Sequence, residues 1–220
     1  MKTSLTELGF RRNRIYEVVI STLGTGGKPN AAPMGIITRP PRTIILRPFK
    51  TSLTYHNLKT ERCGVANITL DPEIFFKTAF KRTYLDERIP VAWFTRSNTS
   101  NAPALKCADL KIAFTVASLE DFGANRASFI CKVQDINIRK VLPHAYCRSD
   151  FAAIECVIHA TRVRELLARG QKRKAAELMR LIRYYAKLAK RVSPDSKNTW
   201  IIGKLLSYAG RQGLEHESSR

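Results

Sequence analysis

Residues 28–71 hold the densest chemistry in this chain. They read Lys28-Pro29-Asn30-Ala31-Ala32-Pro33-Met34-Gly35, then Leu46-Arg47-Pro48-Phe49-Lys50-Thr51-Ser52, Thr54-Tyr55-His56-Asn57 and Val65-Ala66-Asn67-Ile68-Thr69-Leu70-Asp71. A strand of small residues lets a flat ring approach the backbone. A second strand ends in a cation and hydroxyls where a helix begins, and a helix start offers unpaired N–H groups and partial positive charge to a phosphate. Lys50, with the Thr51 and Ser52 hydroxyls and Arg47 nearby, would complete such a cradle. The plainer alternative leaves Ser52 as a helix cap and both cations in solvent.

The remaining polar residues carry less. Asn67 and Thr69 alternate with Val65, Ala66, Ile68 and Leu70, so they share one strand face, which fits a ligand groove or a solvent face. Tyr55 reads as a core aromatic or a ligand contact, and Asn57 is equally open. Asp71 reads as a helix N-cap. His144-x-x-Cys147 and Cys156-x-x-His159 have zinc-like spacing, but Cys156 falls among Ala152, Ala153, Val157 and Ile158, where a buried thiol is the common outcome. No metal is expected. Neither a nucleophile elbow, a P-loop nor a dinucleotide fingerprint is present, and no catalytic residue can be picked by spacing.

These residues need a scaffold of short strands. Residues 15–22 are β-branched and apolar, and Leu23–Asn30 is a turn with three glycines. A strand over Ala31–Thr38, the turn Arg39-Pro40-Pro41-Arg42 and a strand over Thr43–Phe49 complete a meander. The spacing predicts a short helix from Leu53, a strand over Val65–Leu70 and a helix over Glu73–Arg82. Strands over Leu110–Leu119 and Ala127–Ile138 flank a turn at 120–125; residues 83–101 resist assignment. Beyond Asp150 the apolar period becomes helical, over Phe151–Leu167, Gln171–Val192 and Ser196 to about Tyr208.

Composition narrows the class. No apolar run reaches the roughly 18–20 residues that span a bilayer, so no membrane is expected. The N-terminus lacks an apolar signal region, and five irregularly spaced cysteines argue against a disulfide framework, so a reduced, cytoplasmic protein is expected. The net charge of +20 concentrates in the C-terminal third. Arg and Lys along residues 161–191, with Tyr184 and Tyr185, keep nucleic-acid binding open as an alternative.

The strand–NAAPMG–strand–RPFKTS–TYHN–NITLD order resembles the flavin mononucleotide (FMN)-binding split-barrel superfamily, which includes pyridoxamine-phosphate-oxidase-like and flavin-reductase-like proteins. It is most similar to an uncharacterised archaeal and bacterial family in which the barrel carries a helical extension, beginning here near Ile154–Arg162. The resemblance covers about residues 14–208. It implies an α+β, mainly β fold: a six-stranded antiparallel split barrel (residues 1–148), a three-helix extension (149–212) and a flexible tail (213–220). It implies FMN as cofactor, held by Asn30, Ala31, Ala32, Pro33, Met34, Arg47, Lys50, Thr51, Ser52, Tyr55, Asn57, Asn67 and Thr69. Main-chain groups of the Asn30–Met34 strand would meet the ring's polar edge, in a groove between the protomers of a homodimer. The implied function is a flavin-dependent oxidoreductase with an unidentified redox partner; the alternative is a flavin carrier or sensor without turnover.

Overall fold

A computed structural model describes residues 3–81, 89–97, 101–139 and 147–218, the last nine of these by backbone alone. The chain divides into two compact units, one of residues 1–69 and 80–142, the other of residues 70–79 and 143–220.

The first unit is a closed antiparallel barrel. Its strands are β1 (Ile15–Leu23), β2 (Pro29–Arg39), β3 (Thr43–Leu46), β4 (Cys63–Ile68), β7 (Leu110–Phe122) and β8 (Arg126–Ile138), in the order β1-β2-β3-β8-β7-β4 with β4 returning to β1. A small hairpin, β5 (Phe94–Arg96) and β6 (Pro103–Leu105), lies in the stretch that resisted assignment. The six expected barrel strands are all present, within a few residues at each end. β3 stops at Leu46, short of the expected Phe49, because Pro48 has no N–H for a ladder; Phe49 keeps only an isolated bridge to Arg126.

Period-two alternation turns Val18, Ile20, Ile36, Ile44, Leu46, Ala66, Ile112, Phe114, Phe129 and Cys131 into one interior cluster. Leu5 and Phe10, from a segment without regular structure, join the same cluster. Leu5 N–H bonds Pro41 O at 3.1 Å, and the Phe10 ring meets Tyr16 edge-on at 4.7 Å.

β2 is paired unevenly. It faces β1 from Pro29 to Ile37 but meets β3 only from Ile36 to Arg39. Among the described residues, no strand pairs with the other side of residues 29–35. Pro33 lies in that half-paired stretch, the position in a sheet where a missing N–H is tolerated.

Helix α1 (Leu53–Glu61) follows β3 and buries Thr54, Asn57 and Leu58. Ser52 caps it: Oγ accepts the Tyr55 N–H at 3.1 Å and donates to Phe49 O at 2.8 Å.

The second unit is helical: α2 (Pro72–Ala79), α3 (Arg148–Ala168), α4 (Lys172–Val192) and α5 (Lys197–Ser218). Proline opens α2, and Asp71 caps it by accepting the Glu73 N–H at 2.9 Å. Gly170, at φ +70°, ends α3 in the left-handed conformation that favours glycine. Phe75, Phe76, Val157, Val163, Ile182, Ile201 and Leu205 are buried. The last helix continues past Tyr208 through part of the segment expected as a tail.

Candidate functional site

The half-paired stretch of β2 forms one corner of the candidate site. Lys81 Nζ donates to Asn30 Oδ1 and, at 3.1 Å, to Ala31 O. Asn30 Nδ2 reaches Thr54 Oγ1 in the first turn of α1 at 3.4 Å. Ala31 is buried, while Ala32, Pro33 and Met34 are half-exposed. At Gly35 the space of a Cβ is already filled by Ile15 Cγ2, 2.8 Å away, so its smallness serves cross-strand packing.

The second corner is cationic and lies where residues 47–50 run beside the β7–β8 turn. The Arg47 guanidinium stacks 3.8 Å over Phe122, and Arg126 stacks 3.7 Å over Phe49. Arg126 Nη1 also donates to Arg47 O at 2.8 Å, and Lys50 N–H to Asn125 O at 2.9 Å. Lys50 Nζ meets Asp121 Oδ1 at 2.6 Å; that bond and the lysine charge hold the Asp121 carboxyl below its ordinary range. Arg47 Nε is buried with no hydrogen-bond partner among the described residues.

The first turn of α1 joins the corners. Ser52 is tied to Phe49 on one side and Thr54 to Asn30 on the other. The Leu53 and Thr54 N–H groups have no partner within the helix. Thr51 is exposed beside them.

Three residues of the expected set make internal contacts in this structure, and a fourth, Thr69, is buried. Asn67 is wholly buried: Nδ2 donates to Val19 O, Ser21 Oγ and Val65 O, and Oδ1 accepts the Leu105 N–H. The face it was expected to share with Thr69 is covered, not open; Thr69 lies past the end of β4 and is also buried. Asn57 Nδ2 donates to Thr22 Oγ1 at 2.9 Å, and Tyr55 packs edge-on against Phe129 at 5.7 Å. Lys81 and Arg126, which the sequence reading did not single out, lie among the site residues. No spacing rule links Lys81 to Asn30, 51 positions earlier.

The Cys156–His159 pair sits one turn apart on α3. Burial, then the Glu155 charge, pushes the Cys156 thiol up to about 12, and burial lowers the His159 imidazole. No group of three metal-ligating side chains occurs among the described residues, and His144 lies outside them.

A closed six-stranded antiparallel barrel with one strand half-paired, a capped helix after β3 and a helical extension defines the split-barrel class. Within it the chain belongs to the DUF447 family: residues 16–137 match the domain described as "Protein of unknown function (DUF447) N-terminal domain". An FMN-bound protein from Methanosarcina mazei, assigned to the same family, is 26% identical over 93% of this chain and 99% of its own, with a TM-score of 0.73. An NADH:FAD oxidoreductase from Streptomyces globisporus is 14% identical over 58% of this chain and 78% of its own, at a TM-score of 0.49. An FMN-binding protein from Thermus thermophilus is 14% identical over 56% of this chain and 71% of its own, at 0.47. No curated protein matches the chain significantly.

Proposed function

We propose that this chain binds FMN along the half-paired stretch of β2 and acts as a flavin-dependent oxidoreductase. The observation that carries the reading is the FMN-bound family member, which aligns over 93% of this chain and 99% of its own length. The residues present fit the group. Arg47 Nε is a buried donor without an acceptor, the first turn of α1 has unspent N–H groups, and Lys50 and Thr51 stand beside them. These are suited to a phosphate bearing close to two negative charges.

In this reading Arg47, Lys50, Thr51 and the α1 N-terminus hold the phosphate, while Ser52, expected among them, spends its hydroxyl on Phe49 O and the Tyr55 N–H and caps the helix. The main chain of Asn30–Met34 meets the ring, and Lys81 keeps positive charge beside it. Asn57, Asn67 and Thr69 act one layer behind, by fixing the strands that carry these groups, and Tyr55 backs α1 against the barrel core. Bound FMN supplies two-electron hydride chemistry between a reduced donor and an acceptor, so the protein needs orientation and local charge more than a nucleophile. The barrel works as a homodimer in the cytoplasm, with the flavin groove between protomers.

The test is an absorbance spectrum of purified protein titrated with FMN, followed by anaerobic addition of NADH or NADPH. Bands near ~370 and ~450 nm, bleached within seconds, support an oxidoreductase. Tight binding without bleaching by any donor favours the carrier or sensor. No binding at micromolar FMN overturns the cofactor assignment, and a single-chain mass in light scattering overturns the dimer.

A further inference from the structure

Helix α4 concentrates the chain's charge excess. Its 21 residues hold eight Lys or Arg and a single acidic residue, Glu177. All eight cations are exposed, while Ala175, Ile182 and Ala189 are buried on the opposite side. Only Arg173 has an ionic contact among the described residues, to Glu177 at 3.8 Å. Helix α3 differs, since Arg148, Arg162 and Arg164 are offset there by Asp150, Glu155 and Glu165.

The cations of α4 form a line. At ~100° and ~1.5 Å per residue, Arg173, Arg180, Lys187 and Arg191 fall within about 40° of one another along some 27 Å of axis. Tyr184 lies on the same line between Arg180 and Lys187 and is 59% exposed. Arg183 flanks them. Arg183–Lys187 and Lys187–Arg191 are like-charge pairs four residues apart, which weaken a helix on their own.

We infer that this face of α4 is a docking surface for single-stranded nucleic acid, with Arg173, Arg180, Lys187 and Arg191 on phosphates spaced along one strand and Tyr184 under a base. The charge complementarity is to a linear polyanion: the four cations stand about 10.5, 10.5 and 6 Å apart along the axis, one to two steps of a phosphodiester backbone. An exposed ring among cations matches stacking platforms for unpaired bases. A membrane surface fits less well, because an interfacial helix needs a wide exposed apolar face. Here the apolar side is packed inward, and the large exposed apolar residues of the helix are Leu181, Tyr184 and Val192. The surface is independent of the flavin reading.

The test uses the full-length chain, saturated with FMN if it binds, and a fluorescein-labelled 20-nucleotide single-stranded RNA of mixed sequence, read by anisotropy. Four neutralised phosphates give a log–log salt slope near −3, so affinity should fall about 50-fold from 50 to 200 mM salt. Arg180→Gln/Lys187→Gln should weaken binding about tenfold at 50 mM salt and halve the slope. Tyr184→Ala should weaken it about tenfold with the slope unchanged. Circular dichroism and melting of each variant separate lost docking from lost folding, and Lys111→Gln on the barrel serves as a charge control. Absence of saturable binding at 50 mM salt overturns the proposal. So does equal loss with the Lys111 control, or binding to phosphatidylglycerol vesicles without binding to RNA.

Discussion

The side-chain oxygen of Asn67 accepts the backbone N–H of Leu105 at 2.8 Å, and this bond holds the β5–β6 hairpin to the barrel wall. The same amide donates to Val19 O and Ser21 Oγ, both at 2.9 Å, and to Val65 O at 3.1 Å. Ser21 Oγ in turn donates to Pro103 O. One buried side chain thus ties β1, β4 and β6. Asn67→Leu keeps the branched heavy-atom outline, with methyls bulkier than the amide, but strands the Leu105 N–H and the Val19 carbonyl away from water. The expected loss is about 2–4 kcal/mol, measured by urea denaturation. A loss within about 0.5 kcal/mol would show that the hairpin is held by something else.

Gly64 leaves no room for a methyl group. A Cβ there would lie 2.6 Å from Phe114 Cζ and 3.1 Å from Ser21 O, and Phe114 is fully buried. Gly64→Ala should cost about 1–3 kcal/mol. Combining it with Phe114→Leu should cost less than the two single changes added, because the smaller side chain opens the contested space. Additive costs would place the strain elsewhere.

Local signals made the barrel legible. β-branched runs separated by Gly24–Gly27, Pro40–Pro41 and the turn before Arg126 marked five strands, since each turn residue has its own reason to end a ladder, and β4 stood out as the apolar run between two helix signals. The cap at Ser52 and the proline start at Pro72 were legible for the same reason. The paired strands at 94–96 and 103–105 were not, because three-residue strands carry too little alternation to see. Asn67 shows the limit at the site. Alternation placed its side chain on one face of β4, but only the fold reveals that β6 covers that face. Lys81 was invisible because its bond to Asn30 depends on where the chain returns.

Glu73 makes the helical unit sensitive to acid. Burial pushes its carboxyl up, but hydrogen bonds and charge from Lys197 and Lys77 outweigh that and leave it below the ordinary carboxylate range. A carboxyl lowered in the folded state stabilises above its unfolded value of about 4.5, and the contribution fades as pH falls through the folded value. Glu73→Gln should therefore cost about 1 kcal/mol at pH 7 and almost nothing at the acid end. Melting temperatures from pH 7 to 2.5 should converge for the two proteins. Parallel curves at all pH values would remove the charge from the account.

Lys50 and Asp121 offer the sharpest test of the phosphate position. Their 2.6 Å contact sets an exposed carboxylate on the cation proposed for the phosphate, so ligand and aspartate compete for one ammonium group. Asp121→Asn should then tighten FMN binding severalfold, while Lys50→Ala weakens it about 10- to 150-fold, the loss of one charge-assisted bond. In the Lys50→Ala/Asp121→Asn double variant, removing the carboxylate should bring no more than a small gain, because the cation it occupied is absent. Fluorescence titration of FMN with each variant measures all three constants. If Lys50→Ala binds as tightly as the parent, the phosphate lies elsewhere. If Asp121→Asn tightens binding equally with and without Lys50, its carboxylate acts by long-range repulsion and not by holding that lysine.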